Sequence, residues 1–198
     1  MRRAVLVLVA VASGLAAAAA TVLLLADDDR SPSAAGVDGV FVLDEPGVYQ
    51  QPLDDVNDDS AGRRLPDVRL TDEAGGEVVL AEHRGTPMIV NFWFSRCAPC
   101  RRELRDFATV HDEVGGEVRI VGVDPFDTPD AMRAFADDRG VGYELLRDVG
   151  DADDRLLVDE LGIVGYPVTL FVDADGEILR QVGELDADEL RAAVDELF

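Results

Sequence analysis

The sequence predicts an α/β protein, a central mixed sheet flanked by helices, carried behind one N-terminal transmembrane anchor helix. Three observations predict it. Residues 4–26 form an unbroken uncharged block, Met88–Phe94 and Val118–Val123 are nearly continuous apolar runs, and stretches of helical periodicity separate these runs from later strands. Apolar runs without alternation are what strands covered on both faces show, and alternating strands and helices build a layered sheet.

From Ala4 to Ala26 nothing is more polar than Ser13 and Thr21. At 1.5 Å per helical residue this stretch reaches about 35 Å, enough for a hydrocarbon core of about 30 Å. Arg2 and Arg3 precede it and Asp27, Asp28 and Asp29 follow it, so the N-terminus is expected to stay inside and the rest outside. A cleaved secretory signal is the competing reading, because Ala18 and Ala20 offer a small-x-small site; Val22–Leu25 continue the apolar run beyond it, as an anchor does. Both readings export the rest of the chain. No cysteine lies near the segment, which excludes a lipid-modified N-terminus.

Residues 27–60 are rich in Asp, Gly, Pro and Ser and read as an acidic linker, with short strands conceivable at Val40–Leu43 and around Val48. The domain is expected over residues 61–198. Val68 and Leu70, the pair Gly75-Gly76, and Val78–Leu80 suggest a hairpin. After the Met88–Phe94 strand, Leu104, Phe107, Ala108 and His111 recur at helical spacing, which puts His111 beside a packed face and not in the role of a catalytic base. Thr128 and Pro129 start a helix that Gly140 ends; Asp151–Leu161 is a shorter helix stopped by Gly162. Asp186 and Glu189 can form a capping box before the stripe Leu190, Ala193, Val194 and Leu197. Tyr143–Leu146, Val168–Val172 and Ile178–Val182 are the remaining strands, the last two joined by the turn 173–176. The order β-α-β-α-β-α-β-β-α implies a mostly parallel sheet with a closing antiparallel pair.

The net charge is −23, and all 18 basic residues are arginine. Such a surface repels nucleic acid and anionic lipid; a saline habitat or genome composition would produce it equally well.

Both cysteines, Cys97 and Cys100, sit in one Cys-x-x-Cys. That supplies two of the four ligands of a structural zinc, and His83 and His111 have no ligand-like spacing to the pair, so a redox role is favoured and no metal or cofactor is called for. Cys97 follows a buried strand and precedes a helix, where backbone N–H groups and the helix dipole stabilise a thiolate. Cys100 lies one turn on, placed to attack a mixed disulfide at Cys97, and Pro99 suits a first turn, where its missing N–H is not needed. Arg96, Arg101, Arg102 and Arg105 crowd this point. They would favour a thiolate and offer a positive patch to a substrate; a solvated helix face paired to Glu103 and Asp106 is the alternative.

The segment Asn91-Phe92-Trp93-Phe94-Ser95-Arg96-Cys97-Ala98-Pro99-Cys100-Arg101-Arg102-Glu103-Leu104 resembles the active-site segment of TlpA/ResA-like thioredoxin-fold proteins. The resemblance continues through Val121–Asp124, Gly165–Asp173 and Gly176, and covers about residues 61–198. It implies a thioredoxin-like fold and a thiol–disulfide oxidoreductase, with Cys97 as nucleophile and Cys100 as resolving thiol. It further implies that Pro167 is a cis-proline packed against the cysteine pair, that Tyr166 offers its backbone to bound substrate, and that Trp93 and Arg96 belong to the active-site surroundings. Two departures matter. Arg96 stands where the family usually has Trp. Asn91, as is common in the TlpA/ResA-like branch, stands six residues before Cys97, where thioredoxins proper carry a buried acid. A carboxylate proton relay must then come from elsewhere, with Asp124 and Glu144 as candidates.

The same resemblance implies reduction of exported proteins with cysteines, including apocytochrome c haem-binding thiols, supplied by a membrane electron donor. Disulfide oxidase or isomerase action on the same fold stays open. A copper chaperone of related fold would need a longer cysteine spacing and a downstream histidine, and a peroxidase would need Pro and Thr upstream of Cys97. The expected location is the cell membrane, single-pass, with the domain on the extracytoplasmic side.

Overall fold

The computed structural model describes residues 56–150 and 156–198. The expected anchor over 1–26, most of the linker with its conceivable strands at Val40–Leu43 and Val48, and residues 151–155 of the expected short helix lie outside the described residues. Among the described residues no helix is long and apolar enough to cross a membrane.

The chain forms β1 (Leu70–Asp72), β2 (Glu77–Val78), a 3-10 turn (Leu80–His83), β3 (Met88–Phe92) and α1 (Cys100–Val114). There follow β4 (Arg119–Asp124), α2 (Pro129–Asp137), β5 (Glu144–Arg147), α3 (Leu157–Leu161), β6 (Val168–Val172), β7 (Ile178–Val182) and α4 (Ala187–Leu197). They make one seven-stranded sheet in the order β2-β1-β5-β4-β3-β6-β7.

The sheet is mixed, but the expectation that it would be mostly parallel is not met. Only β3–β4 and β4–β5 pair in parallel, while β1–β2, β1–β5, β3–β6 and β6–β7 are antiparallel. The two parallel pairs are those joined by α1 and α2, the crossovers that parallel pairing requires. After β5 the chain passes to the far side of β3 and enters β6 reversed. The hairpin β1–β2 fills the opposite edge.

Alternation along β3 sends Met88, Val90 and Phe92 to one core and Ile89 to another, and Trp93 beyond the strand continues the second set. The first core takes in Leu157, Val158 and Leu161 of α3; the second takes in Leu104 and Phe107 of α1, Met132 of α2 and Leu190 of α4. All five residues of β3 are buried, as a strand covered on both faces must be.

Local signals act as the sequence suggests. Thr128 accepts from the Ala131 amide with Pro129 at the first position of α2, and Asp186 and Glu189 complete a capping box on α4. Asp173 accepts from the amides of Asp175 and Glu177, and Gly176 takes the positive φ that the β6–β7 turn needs. The Val78–Leu80 strand stops at Val78, because Leu80 turns inward to open the 3-10 turn and is fully buried there.

The linker also ends earlier than residue 60. Asn57, Asp58 and Ser60 bond the backbone between Leu161 and Gly165, and residues 62–65 pair with Gly176 and Ile178 beside β7. A polar staple and a solvated tether share the same composition; only the partners tell them apart.

Candidate active site

The site forms where β3 hands over to α1. Trp93, Phe94, Ser95 and Arg96 leave the strand, the Cys97 amide donates to the Phe94 carbonyl at 3.1 Å, and Pro99 is the N-cap of α1. Cys97 and Cys100 are joined in a disulfide. The Cys100 amide donates to Cys97 Sγ at 3.2 Å, so a backbone donor of the first helical turn points at that sulfur. Cys97 keeps 6% of its surface in solvent and Cys100 keeps none. The outer sulfur can be attacked; the inner one is shielded.

Trp93 is fully buried under this turn and stacks on Phe135 at 5.5 Å. Pro167 is buried and the Tyr166–Pro167 peptide is cis. Tyr166 stands edge-on to Phe94 at 5.4 Å and to Phe126 at 5.5 Å, and Phe94 and Phe126 meet at 5.1 Å. Three aromatic rings from three loops thus meet at Phe94, whose carbonyl receives the Cys97 amide. Phe126 is 60% exposed, and nothing in its local sequence marked it out.

The arginines do not act as one group. Arg102 forms a two-pronged pair with Glu184 at 2.7 Å, Arg101 lies 6.0 Å from the Phe135 ring, and Arg96 is exposed near Asp127. Asp127 accepts from the Ser95 amide at 2.6 Å and from its hydroxyl at 2.9 Å, which ties down the loop ahead of Cys97. Desolvation works against its charge, but hydrogen bonds from Asp124 and Ser95 and the nearby Arg96 hold its carboxyl below the usual range. Asp124 is fully buried, pushed up to about 7 by desolvation and by Asp127.

The buried acid absent at Asn91 is supplied from α1. Glu103 is 1% exposed, not part of a solvated face. Asn91 Nδ2 donates to Glu103 Oε1 at 2.8 Å and to Thr169 Oγ1 at 3.1 Å, and the Leu185 amide donates to Glu103 Oε2 at 3.3 Å. Burial pushes Glu103 up to about 8; the bonds from Asn91 and Leu185 pull the other way, and Glu184 and Asp106 add to the rise. Glu103 lies one turn beyond Cys100 on the same helix face, and it lines a cavity of about 370 Å3 with Asp106, Glu184, Asp186, Glu189 and the cation Arg102. Its position was readable: Glu103, Phe107 and Val110 share the helical spacing of the apolar stripe.

Of the two relay candidates from the sequence, Glu144 opens β5 at the register of Val121 and is engaged by His83 and Arg119, away from the cysteines. His111 packs against the Tyr143 ring. Among the described residues no cluster of three or more His, Cys, Asp or Glu could hold a metal ion.

Residues 61–181 match the AhpC/TSA family. Thiol:disulfide interchange protein HelX of Rhodobacter capsulatus is 33% identical over 142 residues, which cover 70% of this chain and 77% of HelX. Thiol-disulfide oxidoreductase ResA of Bacillus anthracis is 25% identical over 147 residues, covering 72% of this chain and 82% of ResA. A secreted disulfide oxidoreductase of Mycobacterium tuberculosis superposes with a TM-score of 0.58 at 22% identity, covering 66% of this chain and 96% of that one. The thioredoxin domain of a thiol-disulfide oxidoreductase from Bacteroides vulgatus gives 0.60 at 24%, covering 69% and 96%. At these identities the two structures speak for the fold, which is thioredoxin-like. The relatives speak for the chemistry. The chain belongs to the AhpC/TSA family and, within it, to the TlpA/ResA-like thiol–disulfide oxidoreductases.

Proposed function

We propose that this oxidoreductase is held in the cell membrane by residues 1–26 and reduces disulfides of exported proteins on the extracytoplasmic side, apocytochrome c haem-binding thiols among them. The observation that carries the location is the uncharged block Ala4–Ala26 with Arg2 and Arg3 before it and Asp27–Asp29 after it. A membrane electron donor restores the dithiol.

In the forward direction the Cys97 thiolate attacks a substrate disulfide, forming a mixed disulfide and releasing one substrate thiolate. Cys100 gives up its proton and attacks Cys97 Sγ; the second substrate sulfur leaves and is protonated, and the enzyme is left with the Cys97–Cys100 bond. Two electrons pass from dithiol to substrate. The substrate chain lies along Tyr166 and Pro167 beside Cys97. The small solvent opening at Cys97, where Cys100 has none, and the Cys100 amide donated to the Cys97 sulfur support the order of attack. Glu103, pushed up to about 8, matches a thiol well enough to accept the Cys100 proton as a carboxylate and return it as an acid.

The test is trapping in intact cells with a tag after Phe198. Cys100→Ser should accumulate mixed disulfides with exported proteins, because the resolving thiol is gone, while Cys97→Ser should accumulate none. Equal trapping by both variants would overturn the assignment of roles, and partners confined to the cytoplasm would overturn the location.

A further inference from the structure

The segment that leads into the domain builds part of the active site. Asn57 Oδ1 accepts from the amides of Val164 and Gly165, each at 2.8 Å, and its Nδ2 donates to the Gly165 carbonyl at 3.1 Å. One side chain takes up three backbone groups of two adjacent residues more than a hundred positions away. Its neighbours hold it there. The Asp58 amide donates to the Gly162 carbonyl at 3.3 Å, and Ser60 Oγ donates to the Leu161 carbonyl at 3.4 Å. Gln181 closes the segment from β7, accepting from the Ser60 amide at 3.1 Å and donating to the Asp58 carbonyl at 2.9 Å. Gly162, at φ +69°, lies so close to the Asp58 carboxyl that a Cβ there would collide with it.

What Asn57 ties down is the α3–β6 loop immediately before Tyr166. Tyr166 in turn packs edge-on against Phe94, whose carbonyl receives the Cys97 amide. Val164 is 72% exposed, so its side chain gives the loop little hold on the core. Without Asn57 the three backbone groups would turn to water, and the residues before Tyr166 would regain the freedom that loops have. The cysteines themselves would be untouched, since α1 and the turn that carries them pack in the second core, with Trp93, Leu104 and Phe107, and not in the first core that holds α3.

We propose that Asn57 is a positioning residue: it fixes Val164 and Gly165 so that Tyr166 stays against Phe94 and presents a preformed wall to the polypeptide on either side of a substrate disulfide. This rests on the reading that substrate lies along Tyr166. The consequence is a split by substrate size. A disulfide within a polypeptide depends on the wall; a small aromatic disulfide needs only Cys97.

The experiment measures exchange by the full chain, in detergent or membranes, on disulfide-bonded insulin and on 5,5′-dithiobis(2-nitrobenzoate). Asn57→Ala should lower kcat/KM on insulin about tenfold, chiefly through KM, with less than about a twofold change on the small disulfide. Asn57→Asp, which keeps the acceptor for both amides and loses the donor to Gly165, should recover part of that loss. Ser60→Ala removes a bond from the same segment without touching Val164 or Gly165, and should leave both substrates within about twofold of the parent. Equal losses on both substrates, or a Ser60→Ala loss as selective as that of Asn57→Ala, would overturn the inference. Tyr166→Ala separates it from its premise. If Tyr166→Ala spares insulin, the substrate reading fails; if it impairs insulin and Asn57→Ala does not, the role of Asn57 fails alone.

Discussion

Glu103 carries its carboxyl into the interior one helical turn past Cys100, where desolvation pushes it from the usual 4.5 up to about 8. Below about pH 4.5 it is protonated whether or not the chain is folded. Between about 4.5 and 8 the unfolded chain ionises and the folded chain does not, so stability falls as pH rises, by up to about 5 kcal/mol in total. Glu103→Gln removes this dependence. The variant should match the parent at pH 4 and exceed it at pH 9, as measured by urea unfolding of the oxidised protein. An offset that is the same at both pH values would mean that Glu103 ionises freely in the fold. The cysteines and Pro99 were legible because motif and spacing name them, and Pro167 through the family resemblance alone. Glu103 shares the spacing of the buried helix face, but a charge near a helix start more often lies in solvent, and Asn57 stands in a polar neighbourhood with the composition of a tether. Both cases have one cause. A polar side chain is buried or solvated according to partners distant in sequence, Thr169 and Leu185 for the Asn91–Glu103 pair, Val164 and Gly165 for Asn57.

At the scale of elements, β4 shows how tightly the sheet holds the site. Gly122 sits at its centre between β3 and β5, paired with Asn91 on one side and Leu145 on the other. A Cβ there would lie 2.6 Å from Trp93 Nε1, 2.8 Å from Leu145 Cδ2 and 3.3 Å from the Tyr143 ring. Gly122→Ala must therefore shift Trp93 or strain β5, at a cost of about 1–3 kcal/mol, seen as a lower urea midpoint with an unchanged slope. A fall below about 0.5 kcal/mol would mean that the tryptophan pocket has slack the packing does not show. Strands and helices were legible in order, because burial on two faces, caps and stop glycines are local. Beyond the two hairpins, β1–β2 and β6–β7, strand neighbours were not. The placement of β1 beside β5 and of β6 antiparallel to β3 depends on which faces the connecting segments can cover, and neither is written in any one stretch.

Over the whole molecule the charge is one-sided, 41 acidic residues against 18 arginines. Many arginines are already committed, as in Arg191 with Glu113, Arg180 with Glu196 and Arg84 with Asp67, which leaves most carboxylates to repel one another. Salt screens that repulsion and weakens the fewer pairs less than it relieves the excess. Raising sodium chloride from about 0.05 to 1 M should lift the thermal midpoint by about 5 °C or more. An unchanged or falling midpoint would show that the ion pairs dominate. The thioredoxin-like fold and the exchange chemistry were both legible from one motif and its downstream companions, whereas the surface charge says nothing of either.

Trp93 is the one tryptophan of the chain, and it lies fully buried against Phe135 four residues before Cys97. Its emission therefore has a single origin, with no second indole to average against. The protein carries its own optical probe at the point where fold and chemistry meet. Loss of packing, a strained sheet and a change in the neighbouring sulfur pair all reach the same ring, and each can be followed in unlabelled protein.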